Sequence, residues 1–424
     1  MATTRRQFIK QSAGAVSLSL VMPKILFGQE QTPAAATNRV TVILQLNGAN
    51  DGLNTIIPYT SSRYASLRPN LKFTEGELGN VSGQSFLLNG EFGLHPAGSE
   101  LKTLYDQGKV AFVLGVGYPS ANLSHFSSTD IWMTANLNGS GRGWMGRYAD
   151  RELKGKSGLT AVSIGALPKA LYANDVVVPS ISNFAQFTFQ TDARYGGDRN
   201  NKINVFKTNS SRQFEAGSFI EALAAEGIGA INSTDQVQAA VGTYRSSVTY
   251  PATNLANSFK MIAQLATTIP GARLFHLSIG GFDNHSQQIG TAADQYSNKL
   301  AGQHYNLWRQ ISGGVDAFYK DMAEHGLEND ALVMSYSEFG RRPNENASRG
   351  TDHGTASVMM VVGKQVKGGL YGAQPSLETS ALDSAGNMRF STDFRSVYGT
   401  VIDKWLESDS RDILGGAFAN LSFL

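Results

Sequence analysis

Three residues of the types that hold divalent metals lie close together in the last quarter of this chain. Glu338 follows the strand-like run 331–336, and Asp352 and His353 come just before a second apolar run at 358–362. In an open α/β sheet, ligands bind at the carboxyl ends of the strands. The spacing therefore predicts part of a metal-assisted hydrolytic site, whose other ligands come from elsewhere in the chain.

Two further strand ends carry an acid or a histidine. Asp283 and His285 follow the apolar run 272–279, and Asp51 follows the run 39–46 in a turn rich in Asn and Gly. Ordinary turns of Asn, Gly and Asp are the alternative interpretation. The recurrence of such residues favours a metal site, because every one of these strand ends carries Asp, Glu or His in a chain with only 7 histidines.

The sequence predicts one or more divalent ions at this edge of the sheet. The five predicted ligands are Asp51, Asp283, His285, Glu338 and His353. Oxygen-rich ligands with two imidazoles suit Zn, Mn, Mg or Ca in different proportions, so the identity and number of the ions stay open. For Glu338, a salt bridge to Arg341 or Arg342 is the alternative.

Ser124 is the candidate nucleophile. It lies where a helix is predicted to begin, beside unpaired backbone N–H groups and the positive end of the helix dipole. A metal would activate its hydroxyl, and the helix end would hold a phosphate or similar anion. The alternative is an ordinary Ser N-cap, and the hydroxyls at 127–129 compete for the role. His125 is a candidate acid or base.

The elements that position these residues follow one another as strand, turn and helix, which is the unit of a doubly wound α/β sheet. Residues 156–253, rich in Asn, Ser, Thr and Gln, are predicted to form an insertion that caps the sheet edge. Strands are predicted at 39–46, 109–116, 272–279 and 331–336, and helices at 97–107, 214–226, 233–246, 254–268, 292–325 and 393–407.

Residues 1–36 are predicted to be a twin-arginine (Tat) export signal. Arg5 and Arg6 precede the apolar run 13–22, and small residues follow at 34–36. An uncleaved N-terminal anchor is the alternative, although the run is shorter than the roughly 20 apolar residues of a membrane span. The expected partner is therefore the Tat machinery. The mature chain, 37–424, is expected in the periplasm or outside the cell, with no stable membrane span after cleavage.

Composition argues against several classes of protein. Loss of the predicted signal would remove four Lys or Arg and one Glu, leaving 32 basic residues against 33 acidic ones, so nucleic-acid binding is not expected. Cysteine is absent. That excludes disulfides, thiolate zinc sites and Cys nucleophiles.

Seven short motifs resemble those of the Tat-exported bacterial family of domain-of-unknown-function 1501 (DUF1501), over nearly the whole mature length. They are N-G-A-N-D-G-L-N-T at 47–55, F-G-L-H-P at 92–96, S-H-F-S-S-T-D-I-W at 124–132, G-W-M-G-R at 143–147, G-G-F-D-N-H at 280–285, S-E-F-G-R at 337–341 and G-T-D-H-G at 350–354. The family in turn resembles the alkaline phosphatase and sulfatase superfamily. This implies a metal-bearing α/β sandwich with a mainly parallel sheet and helices on both faces.

The resemblance also implies roles for single residues. Asp51 matches the acid after the first strand, and Ser124 matches the nucleophile at a helix start. Asp283 and His285 resemble an acid-then-His ligand pair that the superfamily usually spaces more widely. His353 resembles the last His ligand.

Phe339 departs from the superfamily pattern. Glu338 stands where an Asp-His pair is expected, and Phe339 replaces the His. The resemblance then implies one ion, a harder oxygen-ligated ion, or none. A formylglycine sulfatase is disfavoured, because Cys and an S-x-P-x-R stretch are absent. The expected function is an exported metal-dependent hydrolase of phosphate or sulfate esters on a small molecule or glycan. The alternative is an exported binding or assembly protein without turnover.

Overall fold

The computed structural model describes residues 39–156, 159–187, 198–295 and 297–424. The predicted export signal, 1–36, lies outside these residues. Within the described ranges, none of the helices combines the length and the apolar character needed to cross a bilayer.

One nine-stranded sheet forms the centre of the fold. Its strands are β1 (Val40–Asn47), β4 (Val110–Gly117), β5 (Ala161–Ile164), β6 (Ser180–Ile181), β7 (Leu274–Gly280), β8 (Ala331–Tyr336), β11 (Ser357–Gly363), β12 (Gly369–Tyr371) and β13 (Thr392–Asp393). Their order is β12, β4, β11, β8, β1, β7, β5, β6, and β13 also pairs with β4. Only β11 runs antiparallel to its neighbours in this sheet.

Two small hairpins accompany the sheet, and helices connect its strands. The hairpins are β2 (Ile56–Ile57) with β3 (Gly93–Leu94), and β9 (Gly340–Glu345) with β10 (Thr351–Gly354). The α-helices are α1 (Gly52–Thr55), α2 (Ser62–Leu67), α3 (Glu75–Gly79), α4 (Ser99–Asp106), α5 (His125–Thr134), α6 (Trp144–Glu152), α7 (Asp198–Ser210), α8 (Phe219–Thr243), α9 (Asn254–Thr268), α10 (Gln303–Glu324), α11 (Phe394–Thr400) and α12 (Ser410–Leu414), and α11 continues as a π-helix over Val401–Trp405.

The sheet is buried on both faces, which explains why its central strands are nearly continuous apolar runs. Val42 and Leu44 of β1 share a core with Trp308 of α10. Ile43 points the other way and shares a second core with Trp132 of α5. The predicted α/β class, with a mainly parallel sheet and helices on both faces, is confirmed.

Three of the predicted helices have clearly different bounds in the structure. The predicted helix 292–325 begins only at Gln303, because Gly302 adopts φ 97° and interrupts the helical path. The predicted helices 214–226 and 233–246 form the single helix α8. Packing of α8 against α7 and α9 outweighs the glycines in its middle.

The range predicted as a cap contains more than an insertion. Its first part supplies β5 and β6 to the main sheet, and α7 and α8 follow. The end of this range is fastened to α10, where the hydroxyls of Tyr244 and Tyr250 both donate to Asp321 Oδ2. Asp321 is fully buried. A cap over the sheet edge stays a prediction.

Substituting Asp321→Leu is expected to lower the free energy of unfolding by about 1–3 kcal/mol, because two tyrosine hydroxyls lose their acceptor. Urea denaturation measures the change. The matched control is Asp316→Leu on the same helix, whose carboxylate pairs with the exposed Lys320. The control should cost about 0.5 kcal/mol or less, and an equal loss in both variants would contradict the fastening role.

Candidate metal centre

Parallel strands bring the predicted site residues to one edge of the sheet. Strands β1, β4, β7 and β8 run in the same direction, so their carboxyl ends lie together. His125 opens α5 after β4, and Asp283 and His285 follow β7. His353 belongs to β10, just before β11 enters the sheet from the same edge. These four side chains meet.

Four ligand atoms converge at this edge. His285 Nε2 lies 3.0 Å from His353 Nε2 and 3.1 Å from Asp283 Oδ1. His353 Nε2 lies 3.2 Å from the same oxygen, and His125 Nε2 lies 3.6 Å from it. A tetrahedral zinc site with bonds of about 2.1 Å places its ligand atoms about 3.4 Å apart. The ligand atoms of His125, Asp283 and His353 all lie within 4.8 Å of one another, and His285 Nε2 lies beside two of them.

Each imidazole of the group is held at Nδ1 by an oxygen acceptor. The pairs are His125 with Glu338 Oε1 (2.7 Å), His353 with the Leu123 carbonyl (3.0 Å) and His285 with Asp352 Oδ1 (3.1 Å). Carboxylates and carbonyls only accept hydrogen bonds, so each Nδ1 carries a proton in these pairs, and Nε2 is the ring atom turned toward Asp283. Metal-binding histidines are oriented in this way.

The facing ring nitrogens make a candidate cation site. His285 Nε2 and His353 Nε2 lie 3.0 Å apart, a distance that requires either a shared proton or a cation between their lone pairs. His125 Nε2 is buried without a hydrogen-bond partner among the described residues. Imidazole nitrogens together with a carboxylate oxygen are ligands that several divalent ions accept.

Arg341 fixes the carboxylate of the group. Its Nη2 donates to Asp283 Oδ1 at 2.7 Å. Partial burial acts to raise the pKa of Asp283, but the hydrogen bond and the positive charge of Arg341 act to lower it, and the net shift of the pKa is downward. Asp283 is therefore ionised at neutral pH. The alternative salt bridge from Arg341 to Glu338 is not formed.

Glu338 lies behind the group of four atoms. It is fully buried and accepts from the Gly48 N–H at 2.8 Å as well as from His125. Phe339, also buried, places its ring centroid 4.9 Å from that of His125 and 4.7 Å from that of His353. In the structure, Glu338 thus orients a ligand, and Phe339 forms an apolar wall beside two ligands.

Asp51 lies outside the group. Its Oδ2 accepts from Arg68 Nη1 and from Gln288 Nε2, each at 2.6 Å, and all three side chains are buried. Burial acts to raise the pKa of Asp51, but Arg68 outweighs it and the net shift is downward. An arginine is therefore the counter-ion of this predicted ligand.

Ser124 occupies the N-cap position of α5 without capping it. Its side chain is exposed and makes no hydrogen bond to the helix. Ser128, one of its competitors, is buried and bonded to the Glu338 carbonyl and to Tyr118. The ordinary N-cap role is thus not the one Ser124 plays here.

Two contacts were not anticipated from the sequence. His125, predicted as a candidate acid or base, also turns its Nε2 toward Asp283, and the acid or base role stays a prediction. Asp352, the neighbour of His353 in sequence, bonds to His285 instead. The available signal for His125 was its place at a helix start directly after a sheet strand.

A family model described as a protein of unknown function (DUF1501) matches residues 183–408, more than half of the 424 residues. A search of curated proteins found no match. The resemblance to DUF1501 is therefore confirmed by the family model.

Solved structures similar to this chain are remote from it in sequence. The C-terminal periplasmic domain of EcEptC from Escherichia coli is 8% identical, with 95% of this chain and 92% of that chain covered and a TM-score of 0.40. The PsFucS1 sulfatase from Pseudoalteromonas sp. is 11% identical (91% and 71% covered, TM-score 0.38). A protein in the alkaline phosphatase superfamily from Vibrio parahaemolyticus is 10% identical (88% and 72% covered, TM-score 0.34).

Substituting Glu338→Gln is expected to weaken zinc affinity about 10–100-fold, because His125 loses its carboxylate partner. Competition with a chromogenic chelator measures the affinity. The control is Glu324→Gln, an exposed residue at the end of α10 whose carboxylate accepts from Ser247 and not from a histidine of the site. Unchanged affinity in the Glu338 variant would contradict its orienting role.

Substituting Arg68→Met is expected to lower the free energy of unfolding by about 3–5 kcal/mol, because Asp51 becomes a buried charge without a partner. The double variant Arg68→Met/Asp51→Leu should recover most of the loss. Urea unfolding of both variants measures the coupling. Additive losses would show that the two side chains act independently.

Proposed function

We propose that this chain, which belongs to the DUF1501 family of proteins of unknown function, is a metal-dependent hydrolase of phosphate or sulfate esters. The observation that carries the proposal is the group of His125, Asp283 and His353, whose ligand atoms all lie within 4.8 Å of one another, with His285 Nε2 3.0 Å from His353 Nε2. A divalent cation held by these residues would supply a Lewis acid for an ester oxygen and would activate a nearby hydroxyl.

Ser124 is the proposed nucleophile. Its free hydroxyl stands at the start of the ten-residue helix α5, next to the ligand His125. Attack forms a bond from Ser124 Oγ to phosphorus or sulfur while the ester oxygen leaves with its electron pair. The serine proton ends on the leaving alcohol, and water then cleaves the covalent ester. The backbone N–H groups of the first helical turn stabilise the negative charge of the transferred group.

We also propose that the protein acts in the periplasm or outside the cell after Tat export. The motivation is the pair Arg5 and Arg6 ahead of a short apolar run. Tat export carries folded proteins, so the cation would be bound before the chain leaves the cytoplasm. The proposed substrates are accordingly small-molecule or glycan esters.

A binding or assembly protein without turnover is the second candidate function. The position of His285 beside the group of His125, Asp283 and His353 favours it, because structural zinc sites have four protein ligands whereas catalytic sites usually have three and an open position. Half-exposed ligands favour the hydrolase, since Asp283 and His285 have 48% and 46% of their side chains accessible.

The mature protein is expected to contain one zinc ion per chain by mass spectrometry and to cleave aryl phosphates or sulfates in a chelator-sensitive reaction. Ser124→Ala should retain the zinc and lower kcat by more than about 1,000-fold, as removal of a covalent nucleophile does. Ser127→Ala, an exposed hydroxyl on the same helix, is the control.

Three outcomes separate the candidates. Folded protein that binds no divalent ion would refute the metal centre. Stable zinc binding without turnover of any ester would select the binding protein. Turnover that survives Ser124→Ala would remove the covalent step and leave direct attack by water.

A further inference from the structure

Phe126 has the largest exposed fraction of the large apolar side chains in the described ranges, at 89%. It directly follows the ligand His125 and is the second residue of α5. Leaving a phenyl ring in water is unfavourable, and at this exposure the ring contributes little to the core. Its location therefore calls for a partner outside the chain.

Phe126 belongs to the first turn of the helix whose N-cap is Ser124. In an α-helix the Cα–Cβ bonds tilt toward the N-terminus. The Cα–Cβ bond of Phe126 therefore tilts toward the helix start. His125 turns inward from the neighbouring position to reach Glu338 and Asp283. Phe126 thus stands at the rim, one residue from a ligand and two from the proposed nucleophile.

Other exposed apolar residues do not share this location. Isolated exposed apolar side chains are common on protein surfaces and need no explanation. Phe219, Ile220 and Leu223 lie together on α8, in the range predicted as an insertion. Phe126 alone among the exposed apolar side chains of the described residues adjoins the ligand group in sequence. This makes Phe219, at 61% exposure, a matched control.

We propose that Phe126 is a recognition residue that stacks against a ring on the leaving side of the substrate. The inference rests on the proposed hydrolase function and names its substrate class: esters whose oxygen is attached to, or close to, an aromatic or sugar ring. The charged phosphate or sulfate group is held by the cation and the helix start. The ring face of Phe126 meets the flat apolar face of the alcohol, since aromatic rings pair with such faces in stacked or edge-on contacts.

The test compares substrates with and without a ring. For the zinc-loaded protein, kcat/KM is measured with phenyl, sugar and methyl esters of phosphate and sulfate. Phe126→Ala should lower kcat/KM about tenfold for ring-bearing esters and leave methyl esters unchanged. Phe126→Tyr should restore the ring preference, and Phe219→Ala should have no effect. The arm with the larger loss, aryl or sugar, identifies the ring.

A binding measurement separates failure of this inference from failure of the proposed function. Phenylphosphonate and methylphosphonate are not ester substrates, so their affinities are measured by calorimetry without turnover. A tenfold loss in Phe126→Ala for phenylphosphonate alone supports the recognition role even when no ester is cleaved. Equal affinities of the two phosphonates for the zinc-loaded protein, no binding of phenylphosphonate, or a ring preference that survives Phe126→Ala would overturn it.

Discussion

The guanidinium of Arg341 connects the segments on which the site depends. It is fully buried, and all of its nitrogens donate hydrogen bonds. The acceptors are the carbonyls of Gly48, Ala49, Phe282 and Thr351 and the carboxylate of Asp283. These acceptors belong to the turn after β1, the loop after β7 and the strand β10. A rigid, always charged fork is suited to this arrangement, because its donors diverge in fixed directions and cannot lose their charge by burial.

Two aspartates at neighbouring strand ends show how burial decides the use of a carboxylate. Asp51 and Asp283 each pair with a buried arginine, but Asp51 is nearly inaccessible whereas half of the Asp283 side chain is exposed. A cation approaching Asp51 would be repelled by Arg68 or would have to displace it. Asp283 keeps an accessible face, and its Oδ1 lies near both Arg341 and three imidazoles. The same residue type therefore serves as a buried counter-ion in one loop and as a ligand in the other.

The sequence predicted the parts of the site that depend on the sheet, and it predicted less well the parts that depend on loops. The apolar runs located β1, β7 and β8, and parallel pairing then placed Asp283 and His285 beside His353. The hairpin of β9 and β10 follows no apolar alternation, because its residues are polar and are held by side chains of other segments. For that reason the pairing of Asp352 with His285 and the approach of Arg68 to Asp51 had no local signal. Long-range contacts of this kind are visible only once the chain has folded.

Phe339 affects the strength of the site as well as the number of its ions. Its ring lies against the imidazoles of His125 and His353 and excludes water from one side of both. Without water there, the lone pair of His125 Nε2 has neither a protein donor nor a solvent partner among the described residues, so it is left to a cation. A lower local dielectric also strengthens the attraction between that cation and Asp283. In the proposed centre, Phe339 thus favours binding of a cation by His125, Asp283 and His353.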